Sequence, residues 1–136
     1  MDLKNGPQLL RAVSKAAAAG LVASAHDCSE GGLGLAAAEM AFAGGLGLTL
    51  DLKSVPGDAG RDDFILFSES ASRLLLEVTP ENAAAFEKQM AGLPVKRIGR
   101  VEEGKTFRVL GLDGKPVVET TVDQLRQAWE GPFKGW

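Results

Sequence analysis

Helical and extended periodicities alternate along this chain, and the stretches between them are short. That alternation argues against a helical bundle and for an α/β or α+β sandwich, in which helices cover a sheet. With 136 residues there is chain for one domain with its own core, and too little for two domains enclosing a cleft. The charge balance is 15 Lys+Arg against 18 Asp+Glu, a formal net charge of -3. This lacks the basic surplus that a phosphate backbone requires, so nucleic acid is not an expected partner. One Cys and one His supply neither an internal disulfide nor a zinc cage. No apolar run reaches the roughly 18 residues of a membrane span, and Met1 to Asn5 has no signal-peptide core, so the expected location is cytoplasmic, without a membrane partner.

The first helix is expected over residues 6–19, with Leu9, Leu10, Val13, Ala16 and Ala17 at helical spacing and Gly20 as its stop. Leu21 to Ala25 reads as a short strand leading into His26-Asp27-Cys28-Ser29-Glu30-Gly31-Gly32. A second helix follows from Leu33 to Gly44-Gly45, then a half-wet strand over 47–52 and a loop over 54–60. Residues 61–67 suit a buried strand or one short helix equally well, the helix being favoured, with Phe64 to Phe67 burying one side of the polar cluster that follows. Arg73 to Val78 is the clearest strand. Thr79-Pro80 is expected to open the next helix, which buries Ala83, Phe86 and Met90 and ends at Gly92. Strands are expected over 95–101, 106–112 and 115–119, the last two joined through Asp113-Gly114. A Thr121-x-x-Gln124 capping box opens the last helix, which carries Val122, Leu125 and Trp129 on one face.

Chemistry concentrates in two segments. A strand ending in Asp27 and Ser29, then Gly31-Gly32 and a helix, leaves first-turn N–H groups pointing outward at the positive end of the helix dipole, where an anion can bind. Glycine at 31 and 32 would admit a phosphate to the backbone, and the Ser29 hydroxyl can cap the helix or donate to the anion. The same residues serve equally as a plain cap and tight turn. His26 and Asp27 are neighbours on a strand and face opposite sides, so at most one enters any given pocket. A His beside an Asp is more often a structural pair than a base, and no basic group stands near Cys28 to activate its thiol. No Lys follows the glycines, so this is not a Walker loop. The second segment, Ser68-Glu69-Ser70-Ala71-Ser72-Arg73, can hold a ligand or another domain, or can simply be a turn.

The run Ala25-His26-Asp27-Cys28-Ser29-Glu30-Gly31-Gly32-Leu33, continued by Ala38-Glu39-Met40-Ala41 and Ala43-Gly44-Gly45-Leu46-Gly47, resembles the C-terminal domain of phosphoribosylformylglycinamidine synthases. Leu66-Phe67-Ser68-Glu69-Ser70 with Ser72-Arg73 resembles the second motif of that domain, and the resemblance runs from about residue 7 to about residue 130. The family form has Asp where this chain has Glu30, which keeps the charge and lengthens the reach. The wider superfamily includes aminoimidazole ribonucleotide synthetase, selenophosphate synthetase, thiamine monophosphate kinase and a hydrogenase maturation protein.

The resemblance implies a mixed β-sheet with helices packed on it, one domain over 1–136, with residues 1–7 as interdomain linker and 131–136 as tail. It implies a fragment of a ligase that converts formylglycinamide ribonucleotide into the amidine, using ATP, Mg²⁺ and glutamine-derived ammonia. Its partners would be the remaining domains of the synthetase subunit, a glutaminase subunit and a small accessory subunit. The ATP-binding half would lie outside this chain, which would then have no activity or cofactor of its own. Ser29, Gly31 and Gly32 would bind substrate phosphate or ribose, His26 and Asp27 would position their loop, and Ser68, Glu69 and Arg73 would line the cleft. The catalytic base is unassigned. The alternatives are another synthetase or kinase of the superfamily, which its different residues at the second motif disfavour, and a non-catalytic docking module.

Overall fold

The computed structural model describes residues 6–134. Its elements in chain order are α1 (Gly6–Ala18), β1 (Ser24–Asp27), α2 (Gly32–Gly44), β2 (Gly47–Asp51), α3 (Asp62–Phe67), β3 (Leu74–Glu77), α4 (Ala83–Gln89), β4 (Gly99–Glu102), β5 (Thr106–Leu110), β6 (Pro116–Thr121) and α5 (Val122–Glu130), with short 3₁₀ turns at Leu52–Ser54 and Gly131–Phe133. The expected α+β class holds, and the sheet is mixed. Four strands run in the order β4-β2-β5-β6, with β2 and β5 parallel and the other pairs antiparallel. Separately, β1 and β3 form a two-stranded antiparallel ribbon that pairs His26 with Leu75 and Asp27 with Leu74.

The core follows from α2, whose sequence is apolar around its whole circumference except at Glu39. A helix of that kind has to be covered on several sides. Leu33, Ala36, Ala37, Ala38 and Ala41 are buried with Leu48 and Leu50 of β2, Phe107 and Val109 of β5, Ile65 and Leu66 of α3, and Val122 of α5. Small side chains let these elements approach closely. A second cluster joins Ala16 of α1 to Phe86 and Met90, with Leu76 and Val78 packed against it. The ribbon therefore touches both clusters, through Leu75 on one and Leu76 on the other.

Three expected boundaries move, each for a physical reason. The first strand lies at Ser24–Asp27, so that Leu21 and Val22 pack against the second cluster and His26 and Asp27 fall inside the strand. Thr79-Pro80 starts a turn and not the helix: the Asn82 N–H donates to the Thr79 carbonyl at 3.0 Å, and α4 begins one residue later. The strand expected over 95–101 is confined to Gly99–Glu102, because its partner β2 gives one further bond, Asp51 N–H to the Ile98 carbonyl at 2.8 Å, before turning into the 3₁₀ segment at Leu52. The Thr121–Gln124 capping box forms in both directions, and Val122 behind it is fully buried. Trp129 is half exposed, stacked between Phe42 and Phe133 at centroid distances of 5.7 and 6.0 Å. Residues 1–5 and 135–136, parts of the expected linker and tail, lie outside the described residues.

Candidate functional site

The two motifs meet at the start of α2. Gly31 and Gly32 have φ of 68° and 63°, in the left-handed region that glycine enters without a Cβ penalty. At Gly32 a Cβ would also lie 2.6 Å from the Leu66 carbonyl oxygen and 2.9 Å from both Phe67 C and the Ser68 carbonyl oxygen. The backbone of the first motif thus lies directly on the backbone of the second. Glu69 completes the junction, its Oε1 accepting from the Gly31 N–H at 3.0 Å. The positive end of α2 therefore already carries an anion, the chain's own carboxylate.

Arg73 ties down the other side. Its Nη2 donates to the Ile65 carbonyl at 2.7 Å and its Nη1 donates to the Ser68 hydroxyl at 3.2 Å and the Ser68 carbonyl at 3.4 Å. The guanidinium thereby caps the C-terminal carbonyls of α3, where a cation also suits the helix dipole. Ser68 and Glu69 are exposed. The turn after them is tight enough to place Ser72 at φ 68°, the one non-glycine residue with positive φ among the described residues.

Ser29 does not cap α2: Gly31 is the N-cap, and the side chain that bonds its N–H is that of Glu69. The Ser29 hydroxyl instead binds the Asp27 carboxylate, and this contact is the chief reason that Asp27 ionises below the usual range. Asp27 points to solvent while His26 on the alternate face is half-buried, as strand geometry requires. The His26 ring bonds to Glu39 of α2 and to the Asp27 backbone carbonyl. Cys28 is 1% exposed and burial raises its thiol pKa, which keeps it protonated and inert. Glu30 is exposed. Among the described residues no three His, Cys, Asp or Glu side chains converge on a metal position.

Sequence reasoning missed Glu39 as a member of this site. The available signal was its isolation, since it is the only charge in the apolar sequence GLGLAAAEMAFAG. The apolar run Phe64 to Phe67, expected to bury one side of the second motif, divides: Ile65 and Leu66 are buried, whereas Phe64 and Phe67 are exposed with Leu35, and the Arg61 guanidinium lies 4.5 Å above the Phe64 ring.

Residues 1–111 match the family described as AIR synthase related protein, C-terminal domain. The chain belongs to that family. It is 39% identical over 118 residues to the phosphoribosylformylglycinamidine synthase subunit PurL of Synechococcus elongatus, covering 85% of this chain and 15% of the relative. The same subunit of Moorella thermoacetica is 40% identical over 134 residues, covering 95% of this chain and 17% of the relative. The chain therefore spans about a sixth of the length of these relatives. Among solved structures, Thermotoga maritima PurL complexed with FGAR superposes with a TM-score of 0.76 at 26% identity, over 88% of this chain and 20% of that one. T. maritima PurL complexed with ATP gives 0.75 at 27%, over 86% and 21%. The Escherichia coli hydrogenase maturation protein HypE shares the fold alone, with a TM-score of 0.62 at 22% identity over 83% of this chain and 38% of that one. Among the described residues no helix is long and apolar enough to cross a membrane.

Proposed function

We propose that this chain is the substrate-side, C-terminal domain of a cytoplasmic phosphoribosylformylglycinamidine synthase, a single folded unit joined to the rest of the enzyme through residues 1–7, of which Gly6 and Pro7 already form the first turn of α1. The observation that carries this reading is the junction at Gly32. The helix start of one motif lies against the backbone of the other, and donor N–H groups, a hydroxyl and a carboxylate collect at one place. The relatives, phosphoribosylformylglycinamidine synthase subunits, supply the chemistry expected there.

In this reading the N–H groups of Ser29, Gly31 and Gly32 receive the phosphate or ribose of formylglycinamide ribonucleotide at the positive end of α2. Gly31 N–H is already taken by Glu69, so the ligand must displace that carboxylate, which then faces the incoming sugar or phosphate from the cleft wall. Ser68 lines the same wall, and Arg73 holds it in place from α3. His26 and Asp27 fix the strand from which the loop departs. ATP phosphorylates the amide oxygen, and ammonia displaces the phosphate from the resulting iminophosphate to leave the amidine. Mg²⁺ and ATP are assigned to the remainder of the enzyme, the ATP-binding half that the family resemblance implies. Ammonia comes from a glutaminase subunit, with a small accessory subunit in the complex. The 136-residue chain by itself should give no turnover.

The test is an amide-resolved NMR titration with formylglycinamide ribonucleotide, inorganic phosphate and ATP in separate arms. Saturable shifts centred on residues 29–33 with the ribonucleotide, and weaker ones with phosphate, are expected. Shifts with ATP alone would move the loop to the nucleotide side. No response up to ~1 mM would mean that the loop contributes less than about 4 kcal/mol of binding and is a helix cap in this chain.

A further inference from the structure

His26 reaches two oxygen atoms at once. Its Nδ1 lies 2.6 Å from the Asp27 carbonyl oxygen, and its Nε2 lies 2.8 Å from Oε2 of Glu39, thirteen residues further along the chain. A carbonyl oxygen only accepts, and so does an ionised carboxylate. Neutral imidazole has one N–H and would leave a lone pair aimed at one of the two oxygens. The imidazolium has two N–H groups and satisfies both.

The surroundings favour the same form. On its own strand the solvent-exposed Asp27 carboxylate brings Oδ1 to 3.7 Å from Nδ1, and from α2 the ring faces Glu39. Across the ribbon its partner is the uncharged Leu75, while Glu77 is engaged by the Ser24 hydroxyl at 2.7 Å. From α1 the apolar Val13 lines the same groove. Two carboxylates and a carbonyl thus surround the ring, and among the described residues no Lys or Arg forms an ion pair with either acid. The Asp27 carbonyl and then the Glu39 carboxylate accordingly raise the His26 pKa against a smaller opposing effect of burial.

We propose that Glu39 is a positioning residue, holding His26 as an imidazolium that donates from both ring nitrogens and clamps the end of β1 to α2, so that His26 is unavailable as a proton acceptor. The clamp closes the chain between residues 26 and 39 into a loop that contains Ser29, Gly31 and Gly32. Its bearing on substrate rests on the function proposed above, whereas the protonation state of the ring does not.

His26 is the only histidine of the chain, so its imidazole nitrogen and carbon-bound proton signals are identified without ambiguity. The experiment is a pH titration of those NMR signals in the wild-type chain and in Glu39→Gln and Glu39→Asp. In wild type the doubly protonated nitrogen signature should persist above the ordinary midpoint of 6.5. In Glu39→Gln the midpoint should fall toward that value, and Glu39→Asp, which keeps the carboxylate, should lie between. A wild-type midpoint at or below 6.5, or one that Glu39→Gln leaves unmoved, would overturn the proposal. Should Glu39→Gln fail to fold, the wild-type midpoint and Glu39→Asp decide it. If the ribonucleotide does not bind while His26 titrates as expected, the proposed function fails and the clamp stands; the converse result removes only the clamp.

Discussion

Replacing Gly32 by Ala tests whether the contact between the two motifs is the keystone of this half of the molecule. Two costs combine at this position. The residue has φ 63°, where a Cβ costs about 1–2 kcal/mol. The new methyl would also lie 2.6 Å from the Leu66 carbonyl oxygen and 2.9 Å from two further backbone atoms, and backbone cannot swing aside as a side chain can. Relief requires α2 to move off α3, an overpacking penalty of about 1–3 kcal/mol. The sum is about 2–5 kcal/mol, a large share of the 5–15 kcal/mol typical of a domain. Gly20→Ala provides the control, because φ is similar at 71° but its Cβ would meet nothing within 4 Å. That variant should lose about 1–2 kcal/mol. Gly44→Ala, exposed on the last turn of α2 with nothing within 4 Å, should be neutral or gain up to about 1 kcal/mol. Urea denaturation followed by circular dichroism gives all three. If Gly32→Ala lies within about 0.5 kcal/mol of wild type, a value typical of ordinary surface substitutions, or if Gly20→Ala is the more damaging, the reasoning is wrong.

Arg73→Ala leaves the Ile65 carbonyl and Ser68 without their charged donor and should cost about 1.5–3 kcal/mol in urea denaturation, with Arg73→Lys intermediate because it loses the planar fork. Glu69→Ala frees the Gly31 N–H and removes a negative charge, so inorganic phosphate should shift the Gly31 amide at lower concentrations than in wild type; an unchanged or weaker response would show that Glu69 does not compete for this donor. The His26 pKa is raised in the folded chain, so its stabilising effect is complete below about 6.5, the unfolded value, and is lost as pH rises through the folded value. Urea midpoints should accordingly fall by the equivalent of about 0.2–1 kcal/mol over that window, and the fall should shrink in Glu39→Gln, which leaves the Asp27 carbonyl in place.

Much of the fold was legible because it is local. Gly45 at φ 69° ends α2 where Gly44-Gly45 placed the stop, and the Thr121–Gln124 box starts α5 where the sequence places it. The alternation of apolar residues in β2 and β5 likewise reports one face against the core. Boundaries set by a partner were not legible. The strand at 99–102 stops where β2 turns away, and nothing in residues 95–98 encodes that departure.

The candidate site divides in the same way. Its residue types and their clustering in two short segments are written in the sequence, because turns and helix starts select Gly and Ser locally. What each residue touches depends on how the elements fold onto one another, whatever the separation along the chain. Ser29 bonds Asp27 instead of the helix, Arg73 caps α3, Glu69 takes the Gly31 N–H across 38 positions, and Glu39 finds His26. Periodicity reports which face of an element is buried, but the packing of one element on another selects the partner of each polar group. The sequence by itself therefore determined the α+β class and where the polar groups cluster, and only the tertiary structure decided that the donor at the head of α2 is already held by a carboxylate of its own chain.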